Sequence, residues 1–134
     1  MSKWIWAFIL AVQAHFAASY LVPLWERDQR GLLPWVWPWG VGDRGLLGEM
    51  TVNQVPLAGL FIAMTATVLF ALAILSALGW WVPRDWWRQL AIAGSALELV
   101  LMVGFLGPTK LLPIVWNLAV LIVLWKTWGT LRLR

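Results

Sequence analysis

Residues 56–81 read PLAGLFIAMTATVLFALAILSALGWW, without a single formal charge. A helix needs roughly 20 apolar residues to cross a bilayer, and this stretch supplies them. It opens on Pro56, which a first helical turn tolerates, and closes on Gly79 and two tryptophans. Three more apolar runs lie to either side: Trp4 to Trp25 upstream, then Gln89 to Gly107 and Leu111 to Trp128 downstream. The runs from Gln89 and from Leu111 are the shortest, roughly 27–28 Å of helix at about 1.5 Å per residue, against a hydrocarbon core of about 30 Å. The sequence therefore predicts an all-α membrane protein. Its expected form is a four-transmembrane-helix bundle in one domain over 1–134, with spans at about 4–25, 56–80, 89–107 and 111–128.

The composition of the 134 residues points the same way, with 62% hydrophobic, 12% charged and mean hydropathy +0.79. An ordinary soluble domain is roughly 45–50% apolar and about 25% charged. So few charges cannot keep so much hydrocarbon in water, which excludes a soluble enzyme, a disordered chain and a free nucleic-acid binder. The chain has no cysteine, so disulfides, thiolate metal sites and cysteine nucleophiles are excluded too. Its first apolar run continues through Tyr20-Leu21-Val22 to a charged boundary at Trp25-Glu26-Arg27. Signal-peptide cores are shorter, roughly 7–15 residues, so the run reads as a retained span.

Short connections at 79–88 and around Gly107-Pro108 make the last three spans adjacent antiparallel hairpins. The long connection, Glu26 to Val55, carries Pro34-Trp35-Val36-Trp37-Pro38-Trp39-Gly40. Trp is amphipathic and collects at the membrane–water interface. Trp35, Trp37 and Trp39 therefore predict an extended interfacial loop lying on the bundle, with a short interfacial helix over Gly45 to Asn53. Of the 13 tryptophans, only Trp116 falls more than about one turn inside a span.

Charge then orients the bundle. Lys3, Arg84, Arg88, Lys126, Arg132 and Arg134, against the single acid Asp85, share one side. Arg27, Arg30, Arg44 and Lys110 share the other with Glu26, Asp28, Asp43 and Glu49. The positive-inside rule puts both termini in the cytoplasm of a multi-pass cell-membrane protein, with the Trp-rich loop outside. The basic tail from Lys126 to Arg134 reads as an anionic-lipid anchor.

Polar residues inside membrane helices are costly and therefore informative. They are Gln13, His15 and Ser19 in the first span, Thr65 and Thr67 in the second, Ser95 and Glu98 in the third, and Asn117 in the fourth. Counted from the helix starts, His15 and Glu98 lie at nearly one level, about 15–16 Å deep, and both threonines reach mid-bilayer as well. Asn117 is shallower. A lone carboxyl in hydrocarbon holds its proton unless a cation stands beside it, and His15 is the candidate partner. Two readings of Glu98 follow: a proton- or cation-binding site, or a neutral carboxyl bonded to His15, Asn117 or a carbonyl as interhelical glue. Imidazole also ligates haem or chlorophyll-type pigments, but bis-His ligation needs a second histidine and the chain has one. No cofactor is expected beyond that possibility at His15. The chain has no phosphate-binding glycine loop and no HExxH motif.

Gly79-Trp80-Trp81, Trp86-Trp87-Arg88-Gln89-Leu90-Ala91 and Ile114-Val115-Trp116-Asn117-Leu118-Ala119-Val120-Leu121, with His15, resemble segments of small uncharacterised bacterial four-helix integral membrane proteins. The resemblance covers roughly residues 57–125, and the chain looks DoxX-like in architecture only. It implies a four-helix fold of the bacterial inner membrane with no assigned reaction. The chain does not resemble small multidrug exporters, having no acid in its first span, nor fluoride channels.

The functional expectation is a small non-catalytic membrane protein, an accessory subunit of a larger complex or a binder of a lipophilic ligand. Its partners would be the lipid bilayer and other membrane subunits or a second copy, with no nucleic acid. The alternative is a small oligomeric proton-coupled transporter or channel using Glu98 and His15. A membrane enzyme acting on a quinone or isoprenoid comes third.

Overall fold

The computed structural model describes residues 2–21, 44–49, 56–107 and 110–128. Helix α1 spans Lys3–Ala18 and runs on through a 3-10 turn, Ser19–Leu21. Helix α2 spans Leu57–Leu78, α3 spans Trp87–Gly104 after a 3-10 turn at Arg84–Trp86, and α4 spans Leu111–Lys126. Two stretches, Lys3–Leu21 and Leu57–Leu78, are long and apolar enough to cross a membrane.

All four helices bury residues spaced alternately three and four apart. On α1 these are Trp6, Leu10, Gln13 and Ala17, with Tyr20 continuing the line. On α2 they are Gly59, Ala63, Ala66, Phe70, Ala73 and Ala77. On α3 they include Trp87, Ala91, Gly94, Glu98 and Leu101, and on α4 Pro113, Asn117, Val120 and Leu124. A seam of that period keeps one helix face on its neighbours at the shallow crossing angle of bundles. The α2 seam is almost all glycine and alanine, so α1 and α3 approach it closely from either side. Phe70 fills the notch at Gly94, where a Cβ would lie 3.0 Å from its ring. Helix α4 rests mainly on α3, and far more thinly than α1 and α3 rest on α2.

Contacts at the two ends set the directions. At one end the Trp6 and Trp87 rings meet with centroids 5.0 Å apart, and Arg88 donates to the Trp128 carbonyl. At the other, the Tyr20 and Phe105 rings lie 5.6 Å apart. So α1 and α3 run one way, and α2 and α4 the other. Gly79 stops α2 in the left-handed conformation, φ 77°, with the Trp80 N–H donating to the Leu75 carbonyl at 2.8 Å.

Two expectations change. Residues 45–49 do not begin a helix. Arg44–Gly45 (β1) pairs antiparallel with Gly48–Glu49 (β2) around a Leu46-Leu47 turn. Gly48 sits at φ 114°, a region that side chains avoid, and the Leu47 N–H donates to the Gly104 carbonyl at 3.2 Å, seating the hairpin on the end of α3. Residues 50–53, and the loop tryptophans Trp35, Trp37 and Trp39, lie outside the described residues. Trp6 and Trp87 stand near helix ends as the interfacial reading expects, yet both turn inward and are buried.

Candidate functional site

The seams of three helices converge on a polar cluster in the middle of the bundle. Gln13 comes from α1, Ser95 and Glu98 from α3, and Asn117 from α4, and all four are fully buried. Ser95 and Glu98 are three apart on one helix, which places both on the same face. The Asn117 amide uses both N–H groups. Nδ2 donates to Glu98 Oε2 at 2.6 Å and to the Ser95 carbonyl at 3.3 Å. Ser95 Oγ donates to Gln13 Oε1 at 3.3 Å, which links α1 to the other two helices. Three side-chain atoms of this cluster have no hydrogen-bond partner among the described residues: Gln13 Nε2, Glu98 Oε1 and Asn117 Oδ1. A buried polar atom left this way costs about 1–3 kcal/mol, so the cluster concentrates unspent hydrogen-bonding capacity in an otherwise apolar interior.

Of the polar residues singled out from sequence, Gln13, Ser95, Glu98 and Asn117 meet here. Thr65 and Thr67 stand apart from them, since each hydroxyl donates to a carbonyl of its own helix, of Phe61 and Ala63 respectively, both at 2.8 Å. Ser19 does the same with the Phe16 carbonyl at 2.7 Å. His15 lies on the exposed face of α1, its ring 6.0 Å from that of Phe16. It is Gln13, about 200° around the helix from His15, that α1 presents to the buried groups. A signal for this was available, because Trp6, Leu10, Ala17 and Tyr20 define a seam that includes position 13 and omits 15. Depth along the helix matches His15 to Glu98, but rotation about the axis matches Gln13.

A second ionisable side chain is also inside. Lys110, which the charge count assigns to an outer surface, is fully buried at the start of α4. Toward the other end of that helix, Ile92, Leu121, Ile122, Trp125 and Lys126 line an open apolar groove of about 440 Å³ between α3 and α4. Arg88, beside it in the fold, stacks its guanidinium 5.4 Å over Trp87, and desolvation lowers its pKa. Among the described residues no three His, Cys, Asp or Glu side chains cluster as a metal site would require. The buried cluster therefore offers amide, hydroxyl and carboxyl chemistry: hydrogen bonding and the holding of a proton. No family model, curated protein or solved structure matches the chain.

Proposed function

We propose that the chain is a small non-catalytic integral membrane protein, a four-span bundle with both termini cytoplasmic, serving as an accessory subunit of a membrane complex or as a binder of a lipophilic ligand. One observation carries the membrane reading: the packing is inverted relative to a soluble domain. Glycine and alanine fill the α2 seam, while Leu57, Phe61, Met64 and Val68 of the same helix are 71%, 63%, 50% and 52% exposed. Phe8, Leu111, Val115 and Ile122 also point outward. Large side chains outside and small ones between helices suit hydrocarbon as the solvent, whereas in water such a surface far exceeds ordinary apolar patches.

The non-catalytic reading rests on the character of the interior. The buried polar groups are enclosed, and the hydroxyls of Thr65, which is exposed, and Thr67, which is partly buried, are spent on their own helix. Proton-coupled transport through Glu98 and His15 would need a polar path joining them, and His15 stands on the outer face. The groove between α3 and α4 supports the ligand-binding side of the proposal.

Purification from native membranes in a mild detergent, with mass spectrometry of whatever accompanies the chain, tests this. A stoichiometric second chain or a retained lipophilic molecule is expected. A clean monomer carrying neither would overturn the proposal.

A further inference from the structure

We propose that Glu98 and Asn117 form a proton-binding site, in which a proton on Glu98 Oε1 is donated to Asn117 Oδ1 and closes a two-bond acid–amide ring joining α3 to α4. The donors of the pair are already spent. Both N–H groups of Asn117 are committed, one to Glu98 Oε2 and one to the Ser95 carbonyl. What remains on the two residues is one oxygen each, Oε1 and Oδ1, both fully buried and both without a donor. With both amide N–H groups spent in this way, an ionised carboxylate leaves two acceptor oxygens, Oε1 and Oδ1, and no donor for either. Turning the amide over does not help, because it would then set Oδ1 against Oε2 and take the donor from Ser95. A single added proton converts the mismatch into two complementary hydrogen bonds, since a protonated carboxyl presents one donor and one acceptor, as a primary amide does. The step is a simple association: the proton bonds to Oε1, no bond breaks, and no other reactant is needed.

Among the described residues, the surroundings supply no counter-charge that would hold Glu98 ionised. Helix α1 brings neutral Gln13 to the cluster, α2 brings Phe70 and alanines to the seam beside it, and α4 brings Asn117. The charged positions on the two helices that carry the pair are Lys110, two helical turns or about 10 Å along α4 from Asn117, and Arg88, about 15 Å along α3 from Glu98. His15 is on the exposed face of α1. Glu98 makes its one hydrogen bond to Asn117. The ring also has mechanical meaning, because α4 is the lightly attached helix. The proton is then the ligand that fastens it.

The chain has three glutamates, Glu26, Glu49 and Glu98, so glutamate labelled with carbon-13 in the side-chain carboxyl reports on all of them in the intact protein. Infrared spectra of the labelled chain in lipid nanodiscs at neutral pH should show one neutral carboxylic acid and two carboxylates. The neutral signal should persist in Glu26→Gln/Glu49→Gln and move to higher frequency in Asn117→Leu, where its hydrogen bonds are lost. Three ionised carboxylates, or a neutral signal indifferent to Asn117→Leu, would overturn the proposal. Should Asn117→Leu fail to fold, Glu98→Gln replaces it, since its two amides close the same ring without a proton. The wild type should then lose thermal stability as pH rises and Glu98 releases its proton, while Glu98→Gln should lack that component. Identical pH responses would sink the idea.

Discussion

At the scale of single residues, Asn117 is the hub, because its amide nitrogen donates both to Glu98 and to the Ser95 carbonyl and so ties α4 to α3. Replacing it with leucine leaves the Glu98 carboxyl buried without its donor, and should cost about 1–3 kcal/mol. Thr65→Ala, on the exposed face of α2 with its hydroxyl turned back on its own helix, should stay within about 0.5 kcal/mol. Reversible unfolding in mixed micelles measures both, and equal losses would deny the cluster any special weight. The same assay separates Gln13 from His15: Gln13→Ala should destabilise the bundle more than His15→Ala. The sequence made Glu98, Ser95 and Asn117 conspicuous, because polar groups in an apolar run cannot be cheap. It paired Glu98 with the wrong side of α1 because depth was weighed without rotation. The inward turn of Trp6 and Trp87, 81 positions apart in the chain, had no local signal, since amphipathic rings suit an interface and a core equally well.

At the scale of elements, small residues govern how closely the helices approach. Gly94→Leu would drive a side chain into the Phe70 ring, and overpacking of that kind costs about 1–3 kcal/mol. Phe70→Ala should return part of the loss when combined with it, and simple additivity in that double-mutant cycle would deny the contact. Gly79→Ala forces a Cβ into the left-handed conformation that ends α2, for roughly 1–2 kcal/mol. In addition, the new Cβ would fall 2.5 Å from Arg84 Nε. Helix α4, with the thinnest packing, should exchange its backbone amides fastest of the four in hydrogen–deuterium exchange. Protection equal to that of α2 would contradict its light attachment. The four helices were legible because each is a long apolar run bounded by proline or glycine. The hairpin at 44–49 was not, because its glycines suit a turn, and what fixes them is the distant Gly104 carbonyl.

At the scale of the molecule, the helix starts and the hairpin fall at defined ends of the bundle. The α1 and α3 starts meet at one end, and the hairpin sits on the α3 terminus at the other. With no native cysteine, single replacements report sidedness cleanly. Ser2→Cys and Asp85→Cys should react with an impermeant thiol reagent only after cells are opened, and Leu46→Cys should react in intact cells. The reverse pattern would invert the proposed orientation. Composition alone carried the membrane reading; which faces that reading would turn to lipid required the helices to be assembled, because size sorting between seam and surface is visible only in three dimensions.

The helices also differ in length. At about 1.5 Å per residue, the 22 residues of α2 extend about 33 Å and the 16 of α4 only about 24 Å. A bilayer wrapped around such a bundle meets two different thicknesses on opposite flanks, so it must thin beside α4 or let α2 tilt. The molecule would then carry its own lateral bias. Its α4 flank would prefer short-chain lipids, or a neighbour whose own helices are equally short.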